Sequence, residues 1–283
     1  MRLNPFNTGD VQVRRGGGGG FPGGGGGKIG CGTLVIALIG ALVFGLDPMQ
    51  TIGVLEGGGG TTQTAPANPN ESAAEICDDN QYAMEGCNAL ASLNRTWQPI
   101  FQRANVRFQH PTLVYYQGGT RSGCGSASSA MGPFYCPSDQ GIYIDTSFFD
   151  TMQRQLGAGG DFARYYVMAH EYGHHIQTLT GVSNVVRNAQ MQDRANANRY
   201  QVAMELQADC YAGVWAGANR NLLEPGDMEE GLRAASAIGD DALTGGRVSE
   251  ENFTHGSSQQ RMQALRTGMQ SGGDDTVCDR YVS

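Results

Sequence analysis

Residues 168–177 read MAHEYGHHIQ, placing three of the chain's five histidines within six positions, with a glutamate after the first. On an α-helix, residues four apart share a face. His170 and His174 can therefore turn both imidazoles toward one ion, while Glu171 projects beside it. This is an H-E-x-x-H arrangement: two neutral nitrogen ligands for zinc, and a carboxylate placed as general base for a zinc-activated water. His175 is adjacent but lies about 140° around the helix from His170 and about 100° from His174. It cannot share the same ion without breaking the helix and reads as a histidine that packs or supports the ligands from behind.

A catalytic zinc needs a third protein ligand and an open fourth position. The candidate lies in AMELQADCYAGVWA, where Glu205 and Asp209 are again four apart on one helical face. Thirty-one residues separate His174 from Glu205, enough for a turn and a second helix that crosses the first. Glu205 is expected to reach the metal. Asp209 is expected to accept the second N–H of a ligand histidine and so fix its tautomer. Val202, Met204, Leu206, Ala208, Tyr211 and Val214 surround the pair, so both carboxylates should be buried and in need of a cation or partner.

The elements that must position these residues are legible in outline. Phe162, Tyr165, Tyr166, Ala169 and Tyr172 recur at three- and four-residue spacing, and Gly181 provides a stop, which predicts a helix through the HEYGH segment. Residues 187–219 read as a second helical stretch with room for one break. Helices are also expected over 83–105, in GDMEEGLRAASAIG and in SSQQRMQALRTGM. PTLVYYQG (111–118) and Ile142–Asp145 read as strands, with a turn at Pro137–Gly141. The count predicts an α+β fold, mainly helical, with a small antiparallel sheet.

Composition divides the 283 residues unevenly. GGGGG at 16–20 and 23–27, and GGGG at 57–60, cannot bury apolar surface and read as tether. Between them Ile29–Leu46 holds eighteen residues without a charge, near the lower length limit for a membrane-spanning helix. The expected organisation is a cytoplasmic tail (1–28), a single transmembrane anchor (29–46), a linker (47–75) and one extracytoplasmic domain (76–283). Arg2, Arg14, Arg15 and Lys28 precede the apolar segment, and Asp47 and Glu56 follow it, which sets that orientation. From Ile29 onward there are 15 arginines against 26 acidic residues, a net charge of −11 that argues against nucleic acid as a partner. Six cysteines follow the apolar segment and allow fifteen pairings. Cys77–Cys87 and Cys124–Cys136 are candidate local pairs, which leaves Cys210–Cys278; buried free thiols are the alternative.

HEYGHHIQ with ELQADCYAGVWA downstream, CGSASSAMGPFYCPSDQGIYID upstream and FTHGSSQQR near the C-terminus resembles the bacterial "putative neutral zinc metallopeptidase" family over roughly residues 97–270. The resemblance implies a gluzincin-like, membrane-anchored, zincin-like peptidase domain holding one catalytic Zn2+ and acting on a peptide or protein. It implies His170, His174 and Glu205 as ligands, Glu171 as the base and Asp209 as the carboxylate behind a ligand histidine. His255 would donate to the developing oxyanion, with Arg261 the weaker candidate for that task. By the same analogy, the strand Ile142–Asp145 would be an edge that pairs with an extended substrate. One departure is Asn94-Arg95-Thr96 before Trp97, where the family leads one to expect an acidic pair. His110 has no evident partner and reads as structural. Two other classes fit the same residues: a non-catalytic zinc-binding assembly module, and a zinc amidase acting on cell-wall peptide.

Overall fold

The computed structural model describes residues 1–17 and 71–283. The first strand is β1 (Gln12–Arg15), and the next described elements are the helices α1 (Ala73–Cys77) and α2 (Gln81–Arg103). Five strands follow: β2 (Thr112–Tyr116), β3 (Gly119–Ser122), β4 (Gly125–Ser128), β5 (Phe134–Cys136) and β6 (Gly141–Asp145). The rest is helical: α3 (Ser147–Gln155), α4 (Asp161–Leu179), α5 (Val182–Gln192), α6 (Ala197–Ala218), α7 (Asp227–Ala237), α8 (Asp240–Thr244) and α9 (Ser258–Gln270). Local chemistry sets several starts. Ser72 and Glu75 form a capping box on α1, Asn80 accepts from the Ala83 N–H at the head of α2, and Ser257 with Gln260 caps α9. Asp193–Asn196 interrupts the stretch expected to break once.

The expectation of a mainly helical α+β domain holds, but the small sheet is not antiparallel. Its order is β1-β2-β6-β5, with β1, β2 and β6 parallel in the register Val13–Leu113–Ile142, and only β5 antiparallel. Strands buried on both faces carry continuous apolar runs. Leu113, Val114, Ile142, Tyr143 and Ile144 are wholly buried for that reason. β3 and β4 form a separate antiparallel hairpin.

The helical core gathers around α2, α4, α6 and α9. Trp97 packs its edge on Tyr211 at 5.3 Å between ring centres, and the Trp215 indole N–H donates to Ser92 Oγ at 3.1 Å. The contact of α9 with α6 is a backbone-to-backbone fit: a Cβ at Gly268 would lie 2.0 Å from the Cys210 carbonyl, and one at Gly213 would lie 2.1 Å from the Leu265 carbonyl. Three disulfides, Cys77–Cys87, Cys124–Cys136 and Cys210–Cys278, realise the expected pairing.

The N-terminal segment overturns the expected membrane topology. β1 is a strand of the domain's own sheet, and the Asn94 amide donates to the Asp10 carbonyl at 2.8 Å. Arg15 pairs with Glu71 at 2.9 Å, and the Met1 amino group meets Asp161 and Asp227, each at 2.9 Å. A single crossing at 29–46 would put this segment and residues 76–283 on opposite sides of a bilayer, where no such strand pairing could form. The apolar segment itself lies outside the described residues. Among the described residues, no helix is long and apolar enough to cross a membrane. The transmembrane helix preceding the domain and the single-pass location, with a cytoplasmic tail and an exported domain, are accordingly withdrawn.

The α6–α9 fit makes a direct expectation. Gly268→Ala would drive a methyl into backbone that cannot yield and should destabilise the protein by about 2–3 kcal/mol. Gly9→Ala, where a methyl meets nothing within 4 Å, should be nearly neutral. Denaturant midpoints of the two variants test the contrast.

Candidate metal centre

The centre forms where α4 crosses α6. Phe162, Tyr166, Ala169, Tyr172 and Ile176 bury one broad face of α4. Gly173 lies at the crossing, where a Cβ would sit 2.9 Å from both the Cα and the carbonyl oxygen of Ala208. The missing side chain lets the two backbones close up. Each helix then contributes an i, i+4 pair from the same level: His170 and His174 from α4, Glu205 and Asp209 from α6.

His170 Nε2 lies 3.2 Å from Glu205 Oε2, and His174 Nε2 lies 3.6 Å from the same oxygen. Ligand atoms of these three residues all fall within 4.8 Å of one another. The outward ring nitrogens are occupied by other partners. Asp209 Oδ1 is 2.7 Å from His170 Nδ1, and Gln177 Oε1 is 2.9 Å from His174 Nδ1. Each acceptor places the proton on Nδ1 and leaves the Nε2 lone pair for a metal. Gln177 is itself wholly buried and held, donating to the Met204 carbonyl at 2.8 Å and to Gln207 Oε1 at 3.0 Å. Glu205 Oε1 accepts from Gln201 Nε2 at 2.9 Å, which steers Oε2 toward the imidazoles.

The field at the cluster favours positive charge. Burial opposes charging His170, but Asp209 and Glu205 outweigh it and push its pKa up to about 10. Burial likewise opposes charge on His174, and Glu205 raises its pKa nonetheless. Burial would lift the Glu205 pKa, yet His174 and His170 hold it well below the usual carboxylate range. A buried site that attracts protons this strongly, with two imidazole nitrogens and one carboxylate oxygen converging, has the donor set of a zinc centre.

Glu171 is buried one position beyond His170, and its charge reaches His174. His175 turns away, as helical geometry requires. It is wholly buried, its Nε2 donates to the Gln109 carbonyl at 2.7 Å, and its Nδ1 accepts from Tyr135 at 3.1 Å. Burial pushes its pKa down to about 4, so it is a neutral packing group. His110 sits edge-on to Phe108 at 5.4 Å.

His255 lies beside the cluster, near enough that its charge helps lower the Glu205 pKa. It rides on a loop that Asp240 organises. Asp240 Oδ2 accepts from the backbone N–H groups of Thr254, His255 and Gly256 at 2.7, 2.7 and 3.0 Å, while Oδ1 is 3.2 Å from His255 Nδ1. Gly256, at φ +93°, brings the loop against Val202 and Leu206, on either side of Glu205.

Two expectations change. Arg261 is 2% exposed and spends its N–H groups on Asp209, Tyr166 and the Ile238 carbonyl, so it is not free to donate to an oxyanion. β6 has strands on both sides and is not an edge; β1 and β5 are the edges, and β5 contacts α4 through Tyr135 and His175. Asn94 is a structural link rather than part of a site: its Oδ1 accepts from the Tyr172 hydroxyl at 2.7 Å, joining α4 to α2. Sequence reasoning passed over Gln177, Gln201 and Asp240. The first two carry an i+3 and an i−4 signal beside His174 and Glu205; Asp240 carries none.

Two crossed helices in a mainly helical fold with a small sheet thus bring together a His-His-Glu group that could hold a metal ion. The family model described as "Putative neutral zinc metallopeptidase" matches residues 4–281, and the chain belongs to that family. It is 44% identical over 254 residues to the uncharacterized protein YpfJ of Escherichia coli K12, covering 87% of this chain and 86% of that one. It is 38% identical over 267 residues to the uncharacterized protein Rv2575 of Mycobacterium tuberculosis H37Rv, covering 85% of each. No solved structure matches the chain. Family membership implies zinc and a peptide or protein substrate.

The geometry separates the histidines experimentally. His174→Ala or Glu205→Ala should abolish stoichiometric zinc in purified protein, whereas His175→Gln should retain it while lowering stability. Elemental analysis alongside thermal unfolding checks both.

Proposed function

We propose that the chain is a zinc-dependent endopeptidase in which His170, His174 and Glu205 hold the metal and Glu171 is the general base. The observation that carries this reading is the convergence of both Nε2 atoms on Glu205 Oε2 while Asp209 and Gln177 occupy the Nδ1 atoms. Bound zinc would polarise a peptide carbonyl and lower the pKa of a water beside it. Glu171 takes a proton from the attacking water and returns it to the departing amine nitrogen, so one carboxylate serves both halves of the hydrolysis. His255 offers its Nε2 to the oxygen that gains charge as the carbonyl is attacked. Asp240, bonded to the other ring nitrogen, keeps that ring oriented and biases the proton it carries.

The arrangement separates binding from chemistry. Glu171→Gln should leave zinc content unchanged and lower hydrolysis of an unstructured protein by about 10²–10⁴-fold. His255→Ala should lower kcat by about 10²–10³-fold with zinc retained. If wild type and Glu171→Gln both hold zinc and neither cleaves protein or cell-wall peptide, a binding module replaces the peptidase. Cleavage of cell-wall peptide alone would make the enzyme an amidase. Wild type without zinc would overturn the centre itself.

A further inference from the structure

We infer that Arg261, on α9, is a positioning residue for the metal centre: by gripping both oxygens of Asp209 it fixes the carboxylate that aims His170. This rests on the zinc-centre reading above and adds a residue to it.

The grip is complete on the side away from the metal. Arg261 Nε donates to Asp209 Oδ2 at 2.8 Å, and Nη2 donates to Oδ1 at 3.0 Å, a two-point clamp that sets the plane of the carboxylate. The guanidinium is held in turn, since Nη1 donates to the Ile238 carbonyl at 3.0 Å and Nη2 lies 3.2 Å from the Tyr166 hydroxyl. Tyr166 donates to Asp209 Oδ1 at 2.6 Å. The carboxylate's one ligand-facing contact is His170 Nδ1 at 2.7 Å, and it has no freedom left to swing away from it.

The helix pairing explains why an arginine stands there. Along α6, Asp209, Gly213 and Gly217 are four residues apart, and along α9 so are Arg261, Leu265 and Met269. Gly213 lies under the Leu265 carbonyl and Gly217 under the Met269 carbonyl, so Arg261 opposite Asp209 is the next rung of one close-packed ladder. That backbone fit sets where the guanidinium sits, and through Asp209 it reaches the imidazole. A charge-only role would need no fork; lysine would supply the charge with one contact instead of two.

The test is made on the full chain, comparing wild type, Arg261→Met and Arg261→Lys by zinc competition against a chromophoric chelator and by the visible spectrum of the Co2+-substituted protein. The expected result is zinc binding weakened about 10–100-fold in the Met variant, a smaller loss in the Lys variant, and a shifted Co2+ spectrum in both. In an Asp209→Ala background the Met substitution should add little, because both oxygens that Arg261 grips are gone. If the Met variant does not fold, the Lys variant decides: weaker zinc binding supports the assignment, and wild-type binding overturns it. Lowered thermal stability with zinc affinity and Co2+ spectrum unchanged also overturns it, and makes Arg261 a packing residue only. Wild type without zinc would defeat the centre itself, an outcome distinct from failure of Arg261.

Discussion

At the crossing of α4 and α6, Gly173 leaves space that the Ala208 backbone occupies, and the separation of the two helices follows from that one missing side chain. Both His170–His174 and Glu205–Asp209 are pairs within single helices, so neither pair can assemble a three-residue site alone. The crossing distance sets whether Glu205 Oε2 can reach the two imidazoles, and the Gln201 amide on Oε1 then aims it between them. A methyl at 173 would press on backbone, not on a side chain able to rotate, and would force the helices apart along their whole contact. The i, i+4 spacing on each helix supplies alignment; the glycine supplies reach.

That closeness places several charges where water cannot solvate them, and the two carboxylates are handled differently. Asp209 has a fixed cation, Arg261, together with Tyr166 and His170, so its pKa is lowered although burial would raise it. Glu205 has no such direct cation among its hydrogen-bond partners: its oxygens meet the imidazoles of His170 and His174 and the Gln201 amide. A buried carboxylate whose charge is balanced by groups that must be neutral to ligate a metal is incomplete without a cation. The fold therefore pairs Asp209 with a fixed cation and leaves Glu205 facing the two imidazoles.

Much of this was readable because it is periodic. HEYGH and ELQAD show themselves through spacing on a helix, and the alternation of apolar residues around them announces burial. His175 could be set aside by angle alone. Asp240 could not be found this way, since a loop cap fifteen residues before His255 has no period. Arg261 was legible as a charged residue near the C-terminus, and only the α6–α9 ladder reveals that it faces inward. β1 was hidden for another reason. QVRR has one aliphatic residue, and its strand character comes from pairing with β2 rather than from its own composition. The membrane topology drawn from charge order failed at the same point. Charge bias reads position along the chain, whereas β1 is placed by hydrogen bonds to a strand about a hundred residues later.

The sheet's two ends clarify what the third histidine of HEYGHH does. β1 closes one end. At the other, β5 leaves an edge beside α4, and a three-residue strand has little to hold it there. Cys136 ties it through Cys124 to the β3–β4 hairpin, and Tyr135 ties it to His175. A neutral imidazole can accept from Tyr135 and donate to Gln109 at once, which a protonated ring could not, and burial keeps it neutral. His175 therefore fixes the spacing between the edge strand and the helix that carries His170 and His174. It contributes to the His170–His174 helix by packing it against the edge strand rather than by joining the His-His-Glu group.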